Sequence, residues 1–111
     1  MLPKENRLKK KKDFERAFEK GRNIKGDTIY LKVLKTEEPF SRIGFIVSKK
    51  ISLKAVERNK IKRRMRDSVK RILNTTENGL DIIVTALPKI KKSEFKDIKE
   101  DITKTFEKIK Q

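Results

Sequence analysis

A chain of 111 residues has the length of one ordinary domain, so residues 1–111 are expected to fold as a single unit. Charged residues make up 43% of it and hydrophobic ones 34%, which leaves room for a small core with well-placed apolar positions. A formal net charge of +16 opposes compaction by self-repulsion and calls for a polyanionic partner. Nucleic acid fits best, because every cation that meets a phosphate releases counterions.

In chain order, the first twelve residues form a basic arm. Lys4, Arg7 and Lys9 to Lys12 are opposed by Glu5 alone, a composition that suits a frayed, flexible terminus. A short helix is predicted from Asp13, placed as its N-cap, to Lys20, with Gly21 as the stop and Phe14, Ala17 and Phe18 on one face. Thr28 to Lys35 alternates as a strand: Ile29, Leu31 and Val33 point one way, and Thr28, Tyr30, Lys32 and Leu34 the other. Thr36-Glu37-Glu38-Pro39 reads as a turn. Arg42 to Ser48 is apolar on both faces and reads as an interior strand, joined to the first as an antiparallel hairpin.

A long helix follows from Ala55 or Val56 to Leu73, then a turn at Asn78-Gly79 and a buried strand from Leu80 to Ala86, closed by Pro88. Ser93 is placed as the cap of a last helix, with Glu94 and Asp97 near its positive end. Phe95, Ile98, Ile102, Phe106 and Ile109 form that helix's apolar stripe. The order helix, two or three strands, helix, strand, helix predicts an α/β or α+β two-layer sandwich with a mixed sheet.

The long helix carries the strongest functional signal. Ile61, Met65, Val69, Ile72 and Leu73 form one apolar stripe, while Asn59, Lys62, Arg63, Arg66 and Lys70 share another face. Between Lys49 and Arg71, eleven residues are Lys or Arg, opposed only by Glu57 and Asp67. Lys49 and Lys50 lead into the helix. Arginine supplies bidentate donors to phosphate, lysine a point charge, and Asn59 a donor and acceptor for a base edge or ribose hydroxyl. A second candidate surface joins Phe14 and Phe18 to Tyr30 and Lys32, aromatics beside a cation as in platforms for single-stranded nucleic acid. Spacing alone slightly favours a core role for both Phe residues.

Catalytic chemistry is sparse by comparison. Without cysteine there is no disulfide, no disulfide-linked partner and no thiolate metal site; without histidine the commonest general base and zinc ligand are gone. The carboxylates are scattered among lysines on polar faces and in turns, where i,i+4 pairing accounts for them. The four glycines stand singly, so no phosphate loop is present. The sequence assigns no metal ligands and no cofactor. No apolar run reaches membrane-spanning length, the apolar stripes are only wide enough for a core, and the first twelve residues are too polar for a secretory signal. A cytoplasmic protein with no membrane partner is expected.

The run Ala55-Val56-Glu57-Arg58-Asn59-Lys60-Ile61-Lys62-Arg63-Arg64-Met65-Arg66 resembles the signature of the protein subunit of bacterial ribonuclease P. Gly44-Phe45-Ile46-Val47-Ser48-Lys49-Lys50, the opening Arg7-Leu8 with Asp13-Phe14 and Phe18, and Asp81-Ile82-Ile83-Val84 extend the resemblance over nearly the whole chain. Two departures stand out. The connection Lys50-Ile51-Ser52-Leu53-Lys54-Ala55 lacks the family's glycine and is one residue longer, and Lys32 stands where relatives often have an aromatic.

The resemblance implies an α+β fold with a mixed four-stranded sheet, three helices and a left-handed βαβ crossover. It implies a holoenzyme that cuts precursor tRNA endonucleolytically to free the mature 5′ end, with the catalytic groups and the required Mg2+ belonging to the RNA subunit. By position, Arg58, Asn59, Lys62, Arg63 and Arg66, with Lys49, Lys50 and Lys70 beside them, would face RNA. Phe14, Phe18, Tyr30 and Lys32 would line a cleft for the single-stranded leader, which reverses the preference for a core role of the two Phe residues. Two other readings stand beside this one: a generic ribosomal-type or RNA-chaperone module, and a self-sufficient nuclease.

Overall fold

The last strand in the chain is an inner one. In the computed structural model, which describes residues 2–110, β1 (Arg22–Lys25), β2 (Ile29–Lys35), β3 (Arg42–Ile46) and β4 (Leu80–Ala86) form one mixed sheet in the order β1-β2-β4-β3. β4 runs antiparallel to β2, with Ile29 opposite Ala86 and Lys35 opposite Leu80. It runs parallel to β3, with Arg42 opposite Asp81 and Ile46 opposite Thr85. The hairpin predicted from the strands at Thr28 and Arg42 therefore does not form, because β4 lies between them. The cause is burial: every residue of β4 except Thr85 is buried, and a strand covered on both faces belongs inside the sheet. The hairpin that does form joins β1 to β2, with Arg22 opposite Val33 and Lys25 opposite Tyr30.

β3, expected to be interior and to reach Ser48, is an edge strand ending at Ile46. Its apolar character on both sides has another origin, since helices cover both faces of the sheet. α2 (Ala55–Ile72) crosses over from β3 to its parallel neighbour β4 and packs on one face with α3 (Phe95–Glu107). Ile61, Met65 and Val69 of α2 and Ile98, Ile102 and Phe106 of α3 meet Leu31, Val33, Ile43, Ile82 and Val84 there. α1 (Lys11–Lys20) lies on the opposite face, where Ala17, Leu8 and Ile83 form a smaller cluster with Phe14, Leu34 and Ile46. Ile82 and Ile83 are both fully buried on opposite faces of β4, and each contributes about 1.5–3 kcal/mol of transfer free energy.

The basic arm is not frayed over its described part; Met1 lies outside the described residues. Leu2 and Leu8 are buried. Arg7 bridges in parallel to Ile43, the Leu8 N–H donates to the Ile43 carbonyl at 3.1 Å, and Asn6 Nδ2 donates to the Ser41 carbonyl at 2.8 Å. The arm thus runs along the outer edge of β3. Two predicted caps also differ. α1 begins at Lys11, and Asp13 sits inside its first turn, turned inward to an arginine. α3 is preceded by Glu94, while the Ser93 hydroxyl donates back to the Lys89 carbonyl at 2.8 Å. The turn at Asn78-Gly79 forms as expected, with Gly79 at φ +80°.

Candidate nucleic-acid interface

α2 sorts its side chains as the sequence required. Ile61, Met65 and Val69 face the sheet, and Asn59, Arg63 and Lys70 are exposed, as are Lys49 and Lys50 in the preceding turn. Lys62 and Arg66, one helical turn apart, are half-buried and lean over a groove. Arg58 differs from its neighbours: its Nη1 donates to the Ser52 carbonyl at 2.9 Å, so this cation also braces the connection into the helix.

That connection manages without glycine. Among the described residues none but glycine has a positive φ, so the chain reaches α2 without a left-handed turn. Ser52, buried, holds the loop together. Its hydroxyl accepts from the Lys54 N–H at 3.2 Å and its carbonyl takes Arg58. Glu57 is held below the ordinary carboxyl range, first by its hydrogen bond with Ser52 and, against partial desolvation, by Lys91, whose Nζ lies 3.4 Å from Oε1. Leu53 of the loop and Val56 in the first turn of α2 face solvent at 85% and 82% exposure.

The four residues expected to line a cleft share one side of the sheet but not one groove. Tyr30 and Lys32 alternate with the buried Ile29, Leu31 and Val33, so they face the α1 side. They line a shallow groove with Asn23, Lys25 and Leu87. Phe14 lines a separate groove with Phe45 as part of its apolar wall and Arg7, Lys62 and Arg66 as its cations. Phe18, one turn beyond Phe14 on α1, is 38% exposed. Arg7, Asn23, Lys25 and Phe45 were not among the site residues expected from the sequence. Asn23 and Lys25 belong to a four-residue strand with one apolar side chain, and Arg7 was hidden in the arm's run of cations.

Several acidic side chains are engaged in holding the fold. Arg42 forks the fully buried Asp81, with Nε and Nη2 each 2.8 Å from a carboxylate oxygen, and its Nη1 donates to Asp13 at 3.2 Å. The hydrogen bond with Asp81 raises the guanidinium pKa above its ordinary value, against the cost of burial. Asp101 accepts from the Asp27 and Thr28 N–H groups at 2.9 and 2.7 Å and from the Thr28 hydroxyl at 2.6 Å, closing the β1–β2 turn onto α3. Asp27 pairs with Lys89 at 2.8 Å.

A mixed sheet with a cationic helix on one face, an aromatic groove at the β3 edge that Lys62 and Arg66 of that helix help to line, and a second groove on the opposite face marks an α+β RNA-binding protein. The sequence profile of the family described as Ribonuclease P matches residues 2–110, and the chain belongs to that family. It is 35% identical over 111 residues to the ribonuclease P protein component of a Pseudanabaena species, covering 99% of this chain and 96% of that one. The solved structure of the Staphylococcus aureus RNase P protein matches with a TM-score of 0.85 at 31% identity, covering 95% of each chain. That of the Thermotoga maritima protein matches with a TM-score of 0.83 at 26% identity, covering 92% of this chain and 96% of that one. Membership makes this chain a protein subunit of a tRNA-processing endoribonuclease and disfavours the generic RNA-binding module.

Proposed function

We propose that this chain binds the catalytic RNA of ribonuclease P through the cations of α2 and its approach, and holds precursor tRNA by the single-stranded 5′ leader along the α1 side of the sheet. Lys49, Lys50, Arg58, Asn59, Lys62, Arg63, Arg66 and Lys70 serve the first role, and Lys62 and Arg66, at the edge of the Phe14 groove, also reach the second. Phe14 and Phe18, with Tyr30 and Lys32 further along the same side, serve the second. Hydrolysis belongs to the RNA subunit and its Mg2+, in the cytoplasm.

One observation carries this reading: Lys62 and Arg66 stand on the rim of the same groove that Phe14 and Phe45 line. Cations that track phosphates and rings that stack on bases are what a single strand requires. The acidic side chains Asp13, Asp81 and Asp101 support it from the other direction, since they are spent on arginine and on a turn.

The test is cleavage of precursor tRNA at low Mg2+ by a bacterial ribonuclease P RNA, with and without the protein, and by the protein alone. Stimulation only by the combination is expected. Cleavage by the protein alone would refute the division of labour. Tight RNA binding without stimulation would return the chain to the class of generic RNA-binding modules. Within the holoenzyme, Phe18→Ala should weaken binding of leader-bearing precursor but not of mature tRNA. Arg63→Ala should flatten the salt dependence of association with the RNA subunit by about one phosphate contact.

A further inference from the structure

We propose that Arg42 and Gly44, on the face of β3 turned toward α1, are positioning residues for the leader groove. They fix where α1 sits on the sheet, and with it the stance of Phe14 and Phe18. The inference rests on the leader-binding reading given above.

α1 needs such a fixture. Its fully buried apolar contact is Ala17, part of a small cluster with Ile83 and Leu8. A methyl group on an aliphatic surface holds a helix down but specifies neither its rotation nor its position along its own axis. Directional contacts do that, and two are present at consecutive residues of the helix. Asp13 accepts from Arg42 Nη1 at 3.2 Å, and the same guanidinium is clamped by two 2.8 Å hydrogen bonds to Asp81 of β4. The planar fork is rigid, so Asp13 is located relative to the centre of the sheet.

Phe14 lies over Gly44, two residues along β3 from Arg42. A Cβ at Gly44 would stand 2.6 Å from Phe14 Cε1 and closer still to Cζ, a separation that real Cβ atoms do not adopt. The missing side chain is the socket for the ring. Residues 13 and 14 of the helix are therefore keyed to residues 42 and 44 of the strand. Phe18 inherits its position one turn further on.

The assembled holoenzyme tests this. For Asp13→Ala, which leaves the Arg42–Asp81 fork in place, we expect about fivefold weaker binding of leader-bearing precursor. Binding of mature tRNA and of the RNA subunit should stay at the level of the unsubstituted protein. In the Asp13→Ala/Phe18→Ala double variant the loss should be smaller than the product of the single losses, because both act through one helix. Arg42→Lys keeps the charge but cannot fork Asp81 and reach Asp13 together, and should show the same leader-specific loss if Asp13→Ala folds poorly.

Equal fractional losses for all three ligands in both variants would mark a merely structural contact and overturn the proposal. So would an intact leader preference in Asp13→Ala beside a lost one in Phe18→Ala. If Phe18→Ala also keeps the preference, the groove reading itself falls and takes this inference with it.

Discussion

Arg42→Ala should destabilise the fold more than Asp81→Ala, although both substitutions break the same pair of hydrogen bonds. Removing one partner of a buried ion pair is costly mainly because the other charge is stranded, and the whole effect runs to about 3–5 kcal/mol. Arg42→Ala strands the Asp81 carboxylate, whose side chain is 0% exposed, and also takes from Asp13, 11% exposed, the nearer of its cations, leaving Arg16 at 3.9 Å. Its cost should lie near the upper part of that range, about 4 kcal/mol. Asp81→Ala strands a guanidinium that is 19% exposed and keeps Asp13 at 3.2 Å and Glu38 at 3.7 Å, so its cost should be about 2 kcal/mol.

Urea unfolding followed by circular dichroism, at fixed pH and salt, gives both numbers from the midpoints if the slopes agree. Against a typical domain stability of about 5–15 kcal/mol, the first loss is large enough to leave a marginal protein. The double variant Arg42→Met/Asp81→Leu should recover much of it, because no charge is left stranded. Equal losses for the two single variants, or a larger one for Asp81→Ala, would refute the argument from burial.

Other outcomes follow from the same structure. Ile83→Ala, beneath α1, should cost about 2–5 kcal/mol and be read from the same urea midpoints. A loss under 1 kcal/mol would mean that α1 hardly depends on this cluster. Because Glu57 has a lowered folded pKa, its contribution is complete above the unfolded value of 4.5 and disappears as pH falls through the folded one. The midpoint difference between the unsubstituted protein and Glu57→Gln should hold from pH 7 to pH 5 and shrink below 4.5; growth of the difference in acid would contradict the sign. With a net charge of +16, thermal stability should rise more in sulfate than in chloride at matched ionic strength, and equal melting temperatures would show that screening alone suffices.

The elements most legible in the sequence were those with long, unbroken signals. α2 begins at Ala55 as read, because its apolar stripe persists over several turns, and β4 keeps both predicted ends because a polar turn and a proline bound it. What failed was adjacency. Neighbouring strands in sequence usually pair, and β2 and β3 would have done so had β4 not needed cover on both faces. Strand β1 escaped certain notice because Arg22-Asn23-Ile24-Lys25 buries one side chain, and its place is fixed by pairing with β2 rather than by pattern. Leu2 and Leu8 could not be told from apolar residues in a flexible arm, since their burial depends on the edge of β3. Asp13 looked like a cap because its inward partner, Arg42, lies 29 residues away. For the candidate interface, the exposure of Asn59, Arg63 and Lys70 on α2 was readable, but not that Lys62 and Arg66 lean half-buried over a groove or that Arg58 braces the loop before the helix. The division of the aromatic residues between two grooves was not, since it depends on how α1 lies across the sheet.

The placement of β4 sets a timetable for synthesis. β2 and β3 leave the ribosome without a mutual ladder, and the strand that joins them ends at Ala86 of a 111-residue chain. At about 5–20 residues per second, several seconds separate the appearance of β2 from that of its inner partner. During that interval the edges that β4 will cover on β2 and β3 have no strand partner. Mutual repulsion at a net charge of +16 opposes association of such chains over that interval.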